Sequence, residues 1–432
     1  MLAANRPPLP TNPARNTSGT SPVGSKLLVL NAGSSSLKFK IFGTEPLVAG
    51  SGGMFDRIGD AANCTLKASV PDGSGKAKKW ELKIPAKDHV AAMQSIMDFI
   101  TENVSSDFAS EVMAVGHRIV HGLDISQPVL LTDESIAKIK EAATFAPLHN
   151  PPGLQGIDAA QKVFGTVPQV AVFDTAFHQT MPPHAYMYGL PHELYEQHKI
   201  RRYGFHGTSH QYLTEKAAEL LGKPVSETNV ITCHLGNGSS VAAVRGGRCV
   251  DTSMGMTPLE GLLMGTRCGD IDPAVVLHIQ SQLGLSAKET DTLLNKKSGL
   301  LGVTGNNDLR AVIAAAEQGD ARSALGLAMF VYRVRKYIGA YVAVLDGQVD
   351  AVIFSAGIGE NSALIRGLVL DRMQGLGMQL DPERNAAAVG GRTADIAAPS
   401  SRVRLLVIPT DEELSIAQQT LQVVTRGTAM AA

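Results

Sequence analysis

The chain has 432 residues, 44% hydrophobic and 18% charged, which is enough for two domains with a sizeable core. Its 39 basic and 40 acidic residues leave a net charge of −1, so there is no electrostatic footprint for nucleic acid or an anionic membrane. No apolar run approaches the roughly 20 residues of a membrane span, and the singly placed Cys64, Cys233, Cys249 and Cys268 argue for a reducing compartment rather than a disulfide framework.

Residues 1–25 are rich in Pro, Ser, Thr and Asn, with no acid and no apolar signal core; they read as a disordered tail outside the fold. "LLVLNAGSSSLKFKIF" (27–42) then reads as a buried strand, a tight Gly/Ser turn and a returning strand. In the second strand Leu37, Phe39 and Ile41 alternate with Ser36, Lys38 and Lys40. Ser36 and Lys38 therefore share a face that suits phosphate. The plainer alternative is a solvated edge, because Lys40 continues the row. Short strands follow over 46–85. "DHVAAMQSIMDFITEN" spaces Val90, Met93, Ile96, Met97 and Ile100 as a helix does. "VMAVGHRIVHG" is a strand and "DESIAKIKEAATF" an amphipathic helix. "APLHNPPG" reads as a loop, because proline blocks helix continuation. "VPQVAVFDTAFHQ" is a buried strand that ends on polar residues. Strands alternating with helices make this an α/β chain.

A second α/β pattern begins near 200. "NVITCHLGNGSSVAAV" (229–244) is again strand, Gly/Ser turn, strand. Laid over the opening stretch, Gly238-Ser239-Ser240 falls on Gly33-Ser34-Ser35, 238 − 33 = 205 residues earlier, which suggests an internal duplication. In "VDAVIFSAGIGENSALI" a strand leads through Gly357 and Gly359 into a helix. The last strand, "RVRLLVIPT", meets "DEELSIAQQTLQVV", a helix with Thr410 or Asp411 as N-cap and acids in its first turn.

Three glycine-rich turns after buried strands suit a polyanion, since their N–H groups point outward. Neither G-x-x-x-x-G-K-[ST] nor a complete G-x-G-x-x-G is present. Arginine and histidine cluster as His117, Arg118 and His121, as Arg201, Arg202, His206 and His210, and as Arg267 among glycines. The guanidinium fork matches carboxylate and phosphate oxygens, although each arginine alone equally serves a structural ion pair. His206 and His210 have i, i+4 spacing, but Gly207 and Thr208 weaken a helix and H-E-x-x-H is missing, so zinc is not expected. Asp174 closes the apolar run "VAVF" and needs partners: arginines, a metal, or an N-cap. Asn31, at the end of "LLVL", and Glu412, in the first turn of the last helix, suit a hard cation such as Mg²⁺, or else act as cap and dipole partner.

The stretches "LVLNAGSSSLKF", "GHRIVHG", "APLHNPPG", "FDTAFHQTMP", "RRYGFHGTSH", "HLGNGSS", "DTSMGMTPLEGLLMGTRCGDIDPA", "SGLLGVTG", "SAGIGENS" and "PTDEELSIA" run from about residue 26 to 420. On them the chain resembles the acetokinase family. The resemblance implies a duplicated actin-like and sugar-kinase-like ATPase fold, with two domains facing across a cleft. One is residues 26–177, with the C-terminal helix 411–432 packing back onto it. The other, 178–410, holds the nucleotide site and a homodimer contact. The implied reaction is reversible, direct in-line transfer of the ATP terminal phosphoryl group to acetate, giving acetyl phosphate and ADP. Propionate or another short-chain carboxylate is the alternative acceptor. Mg²⁺, replaceable by Mn²⁺, is the implied cofactor and the cytoplasm the implied location, with neither nucleic acid nor membrane as partner.

Residue by residue, the resemblance gives Arg118 the substrate carboxylate, Asp174 the part of active-site acid, and His206 and Arg267 that of transition-state stabilisers. Val120, Leu148, Phe205 and Pro258 form an apolar pocket for the substrate methyl. Lys38, His234, Leu235, Gly236, Asn237, Gly238, Asp308, Leu309, Arg310, Gly357, Ile358, Gly359, Glu360 and Asn361 fall in nucleotide-contacting segments. Asn31 and Glu412 hold the metal, with Glu413 one place away. Departures are Cys268 for a common serine, Leu123 for a usual glycine, and a loose "GNNDLR". A carboxylate titrates near roughly 4 to 5 and is ionised at neutral pH, so the nucleophile needs no general base. The obstacle is the meeting of two anions, which calls for alignment and positive charge. Asp174 then orients an arginine or a metal-bound water; an aspartyl-phosphate is the chemical alternative.

Overall fold

The computed structural model describes residues 25–60 and 62–431. The tail expected at 1–25 lies, apart from Ser25, outside the described residues. Alternating apolar residues build two mixed sheets. The first contains β1 (Lys26–Ala32), β2 (Ser36–Thr44), β3 (Leu47–Asp56), β4 (Thr65–Pro71), β5 (Ala77–Lys83), β6 (Val112–Ile119), β7 (Val129–Leu130) and β8 (Gln169–Phe173), in the order β5-β4-β3-β2-β1-β6-β8-β7. The second contains β9 (Val230–Leu235), β10 (Ser239–Arg245), β11 (Arg248–Thr252), β12 (Ala351–Ser355), β13 (Ala394–Asp395) and β14 (Arg404–Val407), in the order β11-β10-β9-β12-β14-β13.

The same five-strand core sits in each sheet. β3-β2-β1 are antiparallel, and β6 and β8 follow in parallel; β11-β10-β9 are antiparallel, and β12 and β14 follow in parallel. The duplication is therefore written in the topology. The overlay of Gly238 on Gly33 is nonetheless out of register. Gly33 opens the turn between the paired Ala32 and Leu37, whereas Gly238 closes the turn between the paired Leu235 and Ser239. Glycine-rich turns align by composition even where their lengths differ.

Each sheet receives a helix that follows the other sheet's last strand in sequence. After β8 and three short helical segments the chain enters the helix Gly207–Leu221, whose Leu213 and Ala217 pack on Val230, Val244 and Ile353 of the second sheet. After β14 it enters the helix Glu412–Ala431, whose Ile416 and Ala417 pack on Leu27, Val29, Val170 and Val172 of the first sheet. Burying one such Leu or Ile stabilises by about 1.5–3 kcal/mol. The approach is close: a Cβ on Gly116 of β6 would lie 2.3 Å from Thr420 Oγ1, so only glycine fits there. On the outer faces, the helices His89–Asn103 and Asn150–Phe164 cover the first sheet, and Ala321–Val344 covers the second through Phe330, Val334 and Ile338.

Two local expectations change, and a third is narrowed to one of its alternatives. "NPPG" is not loop: Pro151 and Pro152 sit in the first turn of Asn150–Phe164, where a missing N–H removes no hydrogen bond. Gly357 and Gly359 lie inside the helix Ala356–Asn361 rather than in a turn before it. Asp411 caps the last helix, accepting from Leu414 N at 2.9 Å. No described helix is long and apolar enough to cross a membrane.

Candidate active site

The first wall of the site comes from β6 and β8. Their parallel register sets Arg118 opposite Val172, two residues before Asp174. Arg118 Nε and Nη2 donate to Asp174 Oδ1 and Oδ2 at 3.0 and 2.7 Å, a bidentate pair in which Asp174 is 1% exposed. Burial opposes the Arg118 charge, but Asp174, Glu412 and Glu413 more than offset it and raise its pKa. The Asp174 carbonyl accepts from Gly207 N at 2.8 Å. A Cβ at 207 would lie 2.2 Å from that oxygen, hence the glycine. His206, just before it, takes the left-handed conformation at φ +57° to start the helix.

The second wall is the β9–β10 turn with Arg267. A Cβ on Gly238 would meet Arg267 Nη1 at 3.4 Å and His206 Nε2 at 3.6 Å, so both groups converge over the turn. Arg267 Nη1 donates to Pro258 O at 3.2 Å and rests 3.7 Å from Met264 Sδ. Burial lowers its pKa with no neighbouring carboxylate to offset it, and among the described residues Arg267 forms no ion pair. Burial, then His234, His210, Arg118 and Arg267, push His206 well below the ordinary imidazole value, so it is neutral. Its ring stacks on His234 at 4.2 Å and its Nδ1 meets Ser240 Oγ at 2.9 Å.

Beside this wall opens a cavity of about 730 Å³. Gly236, Asn237, Asp308, Leu309, Arg310, Gly357, Ile358 and Asn361 line it, all among the candidate nucleotide residues. Asn307, Ile313 and Ser362 line it too and were missed. The signal for Ile313 was present: it follows Leu309 by four residues on one helical face. The other candidates sit elsewhere. Leu235 is core at 0% exposure, and Gly359 backs onto the Phe354 backbone at 3.2 Å. Glu360 Oε1 accepts from Thr410 N at 3.2 Å, bracing the loop before the last helix. Lys38 is exposed on β2, paired with Asn31 on β1.

The apolar candidates divide. Val120 packs with Phe205, Met254 and Met264. The Pro258 carbonyl holds Arg267. Leu148 is 58% exposed and lies outside that cluster. Met254 and Met264 were not foreseen, although both lie in the long glycine-rich motif. His149 was also passed over. Burial and the charges of Arg267 and Arg118 hold its pKa low, which places it at the same cleft.

Several singled-out residues prove structural. Arg202 donates to the carbonyls of Thr252, Ser253 and Met254 and pairs with Glu260 at 2.6 Å. The Arg201 guanidinium stacks 3.6 Å from the Tyr186 ring centroid. His117 meets Gln169, and His121 packs among Phe145, Tyr203 and Phe205. Leu123, where a glycine was usual, adopts φ +53°, a conformation that strains a side-chain-bearing residue.

For a metal the donor set is sparse but apt. Glu412 Oε1 and Thr208 Oγ1 are buried with no well-formed hydrogen bond, although the Thr208 hydroxyl is near enough to favour the Glu412 carboxylate. Burial and Asp174 raise the Glu412 pKa, against the pull of Arg118, Lys38 and that hydroxyl. A carboxylate so weakly satisfied fits a hard cation that brings its own waters and shares phosphate oxygens. Among the described residues no cluster of three His, Cys, Asp or Glu side chains forms a self-contained metal cage.

Known proteins resemble this chain over most of its length. The model of the Acetokinase family matches residues 26–418. The chain is 51% identical over 401 residues to the acetate kinase of Oleidesulfovibrio alaskensis, covering 92% of this chain and 99% of that protein. It is 50% identical over 404 residues to the acetate kinase of Methanosarcina thermophila, covering 92% and 97%. Among solved structures, Porphyromonas gingivalis acetate kinase superposes with a TM-score of 0.87 at 41% identity, over 93% of this chain and 100% of that one. A propionate kinase from Francisella tularensis superposes with a TM-score of 0.85 at 41% identity, over 92% and 100%. Paired β-hairpin turns, a bidentate Arg118–Asp174 pair and an Arg267 without a carboxylate thus sit on the matched span: the chain belongs to the acetokinase family.

Proposed function

We infer that the chain transfers the terminal phosphoryl group of ATP to acetate, giving acetyl phosphate and ADP. The observation that carries this reading is Arg267, a largely buried cation with a carbonyl and a thioether for partners, beside His206 over the Gly236–Gly238 turn. Such a charge is stable only when an anion completes it. The nucleotide lies in the 730 Å³ cavity with its phosphates running past that turn toward Arg267. Lys38 approaches the terminal phosphate from the first half.

Arg118 uses Nε and Nη2 on Asp174, which leaves Nη1 to hold the acetate carboxylate. Asp174 therefore orients Arg118 and is not the nucleophile. The acetate methyl lies against Val120 and Phe205. The acetate oxygen attacks in line, while Arg267 and the His206 N–H stabilise the charge on the moving phosphoryl oxygens. A divalent cation, Mg²⁺ in this reading, would be held through Glu412 and Asn31 and supplies charge neutralisation to the phosphates when bound. Residues 26–177 and 178–410 act as the two halves of the cleft, with the helix 411–432 returning to the first. The four free thiols fit the cytoplasm.

The test is hydroxamate detection of the acyl phosphate across C2, C3 and C4 acids, with and without Mg²⁺. Acetate should give the highest kcat/KM; equal or higher values with propionate would move the assignment to the second reading, which the Francisella tularensis likeness favours. A homodimer belongs to the same proposal. The helix Pro273–Leu283 has no buried residue, and its Leu277 and Leu283 are 68% and 66% exposed. Tyr332, at 64%, precedes Arg333, which pairs with Asp270 three residues before that helix. A second copy would cover this face. Leu277→Glu should convert a dimer to a monomer in sedimentation velocity; an unchanged sedimentation coefficient would remove this face from the contact.

A further inference from the structure

Behind His206, away from the cleft, lies a line of polar groups that the mechanism above leaves idle. His210 follows His206 by four residues, in the first turns of the helix from Gly207, and is fully buried. Its Nδ1 lies 2.7 Å from Thr232 Oγ1 on β9, and its Nε2 lies 2.8 Å from Ser240 Oγ on β10. The same Ser240 hydroxyl lies 2.9 Å from His206 Nδ1. Thr232, His210 and Ser240 are all 0% exposed, so their hydrogens find partners within the chain.

Two hydrogen orders run unbroken along this line; a third, in which Ser240 Oγ accepts from both rings, leaves the buried Ser240 hydroxyl hydrogen unmet. In the first, Thr232 O–H donates to His210 Nδ1, His210 Nε2–H donates to Ser240 Oγ, and Ser240 O–H donates to His206 Nδ1. His206 then carries its proton on Nε2. In the second every bond reverses, and the Thr232 hydroxyl hydrogen must find another acceptor. No other hydrogen bond of that hydroxyl exists among the described residues. A buried donor left unmet is penalised more heavily than an acceptor with a spare lone pair. The first order therefore prevails. It also turns a hydrogen, rather than a lone pair, toward the space over Gly238, where His206 Nε2 and Arg267 Nη1 converge. His234 fixes the plane of the ring by stacking at 4.2 Å, and is itself held by Ser209 Oγ at 2.8 Å.

We propose that Thr232, His210 and Ser240 are positioning residues that lock His206 in its neutral Nε2–H tautomer, so that a preset N–H faces the transferring phosphoryl oxygens. This rests on the reading of His206 as a stabiliser of the phosphoryl group. A neutral donor aimed by buried partners needs no reorganisation when charge develops, and the partner of one ring nitrogen decides which nitrogen carries the hydrogen.

The first test is direct: ¹⁵N-histidine labelling of the intact enzyme and ring-nitrogen NMR. His206 should show a protonated Nε2 and a bare Nδ1 in the parent and a tautomer mixture in Ser240→Ala. A protonated Nδ1 in the parent overturns the proposal. Kinetics give the second test. Ser240→Ala should lower kcat at least about tenfold, part of the 10²–10³ that a whole preset donor is worth, with little change in KM for acetate. Ser240→Thr should restore most of it. Thr232→Val, which keeps the shape, should lower kcat by a smaller factor in the same direction. Both losses should vanish in a His206→Gln background, because the relay acts only through that ring; losses that persist there mark a merely structural role and overturn the proposal. His206→Gln with parental kcat would instead sink the stabiliser reading, a failure that the NMR result keeps separate.

Discussion

Arg118 and Arg267 face one cleft and meet the same electrostatic problem in opposite ways. Arg118 is forked to the carboxylate of Asp174, so the pair is neutral before any substrate arrives. Arg267 touches a carbonyl oxygen and a sulfur, and its full charge remains. A paired guanidinium is stable in a buried site and precise in aim, but attracts a second anion weakly. An unpaired one is costly to bury until an anion completes it. The first suits holding a carboxylate in place; the second suits charge that grows during phosphoryl transfer.

The largest effect that can break this contrast is expected at Arg267. Arg267→Leu should lower kcat by on the order of 10³ to 10⁵, as loss of a charge-stabilising arginine does in related chemistry, while the urea midpoint holds or rises. A near-parental kcat would end the contrast. Next comes Asp174→Ala, which leaves the Arg118 cation largely buried and unpaired. Urea unfolding should show a loss of about 3–5 kcal/mol, the usual consequence of halving a buried pair. An unchanged midpoint would mean that Asp174 does not stabilise Arg118.

Acid should act on both walls alike, through the histidines buried around them. Burial holds His117, His178 and His234 down to about 4 and His121 to about 3. In the unfolded chain they titrate near roughly 6.5. Between those values the unfolded state binds protons that the folded state refuses, so stability falls as pH drops below about 6.5. The slope is about 1.4 kcal/mol per pH unit for each such histidine. Urea midpoints measured from pH 7 to pH 5 should fall steadily; a flat profile would mean that these rings accept protons without unfolding. The smallest effect is expected at the apolar contact. Val120→Ala widens the cluster with Phe205, Met254 and Met264, and should shift the acetate-to-propionate ratio of kcat/KM toward propionate by about tenfold at most. An unchanged ratio would remove Val120 from the methyl pocket.

Some candidate residues were legible because strand ends carry them: Asn31 and Asp174 mark places where an apolar run gives way to an amide or a charge, which a linear reading detects. Arg118, inside β6, and Glu412, in the first turn of the last helix, were singled out by residue type and motif instead. What failed was register and exposure. Gly238 was aligned to Gly33, although the two turns differ in length. Leu148 was placed in the pocket by motif and lies 58% exposed. "NPPG" was read as loop, because proline's tolerance in a first helical turn depends on where that turn begins.

The order of apolar and glycine-rich segments was enough to indicate an α/β chain and to suggest a duplication, since the period of hydrophobic residues dictates which backbone pairs and buries; the order of the strands in the two sheets established the repeat. The exchange of helices between the two sheets, the solitary charge of Arg267 and the hydrogen order running from Thr232 to His206 belonged to tertiary structure alone. Each depends on which groups from distant segments come within about 3 Å and which find no partner, and a linear pattern does not encode that distance.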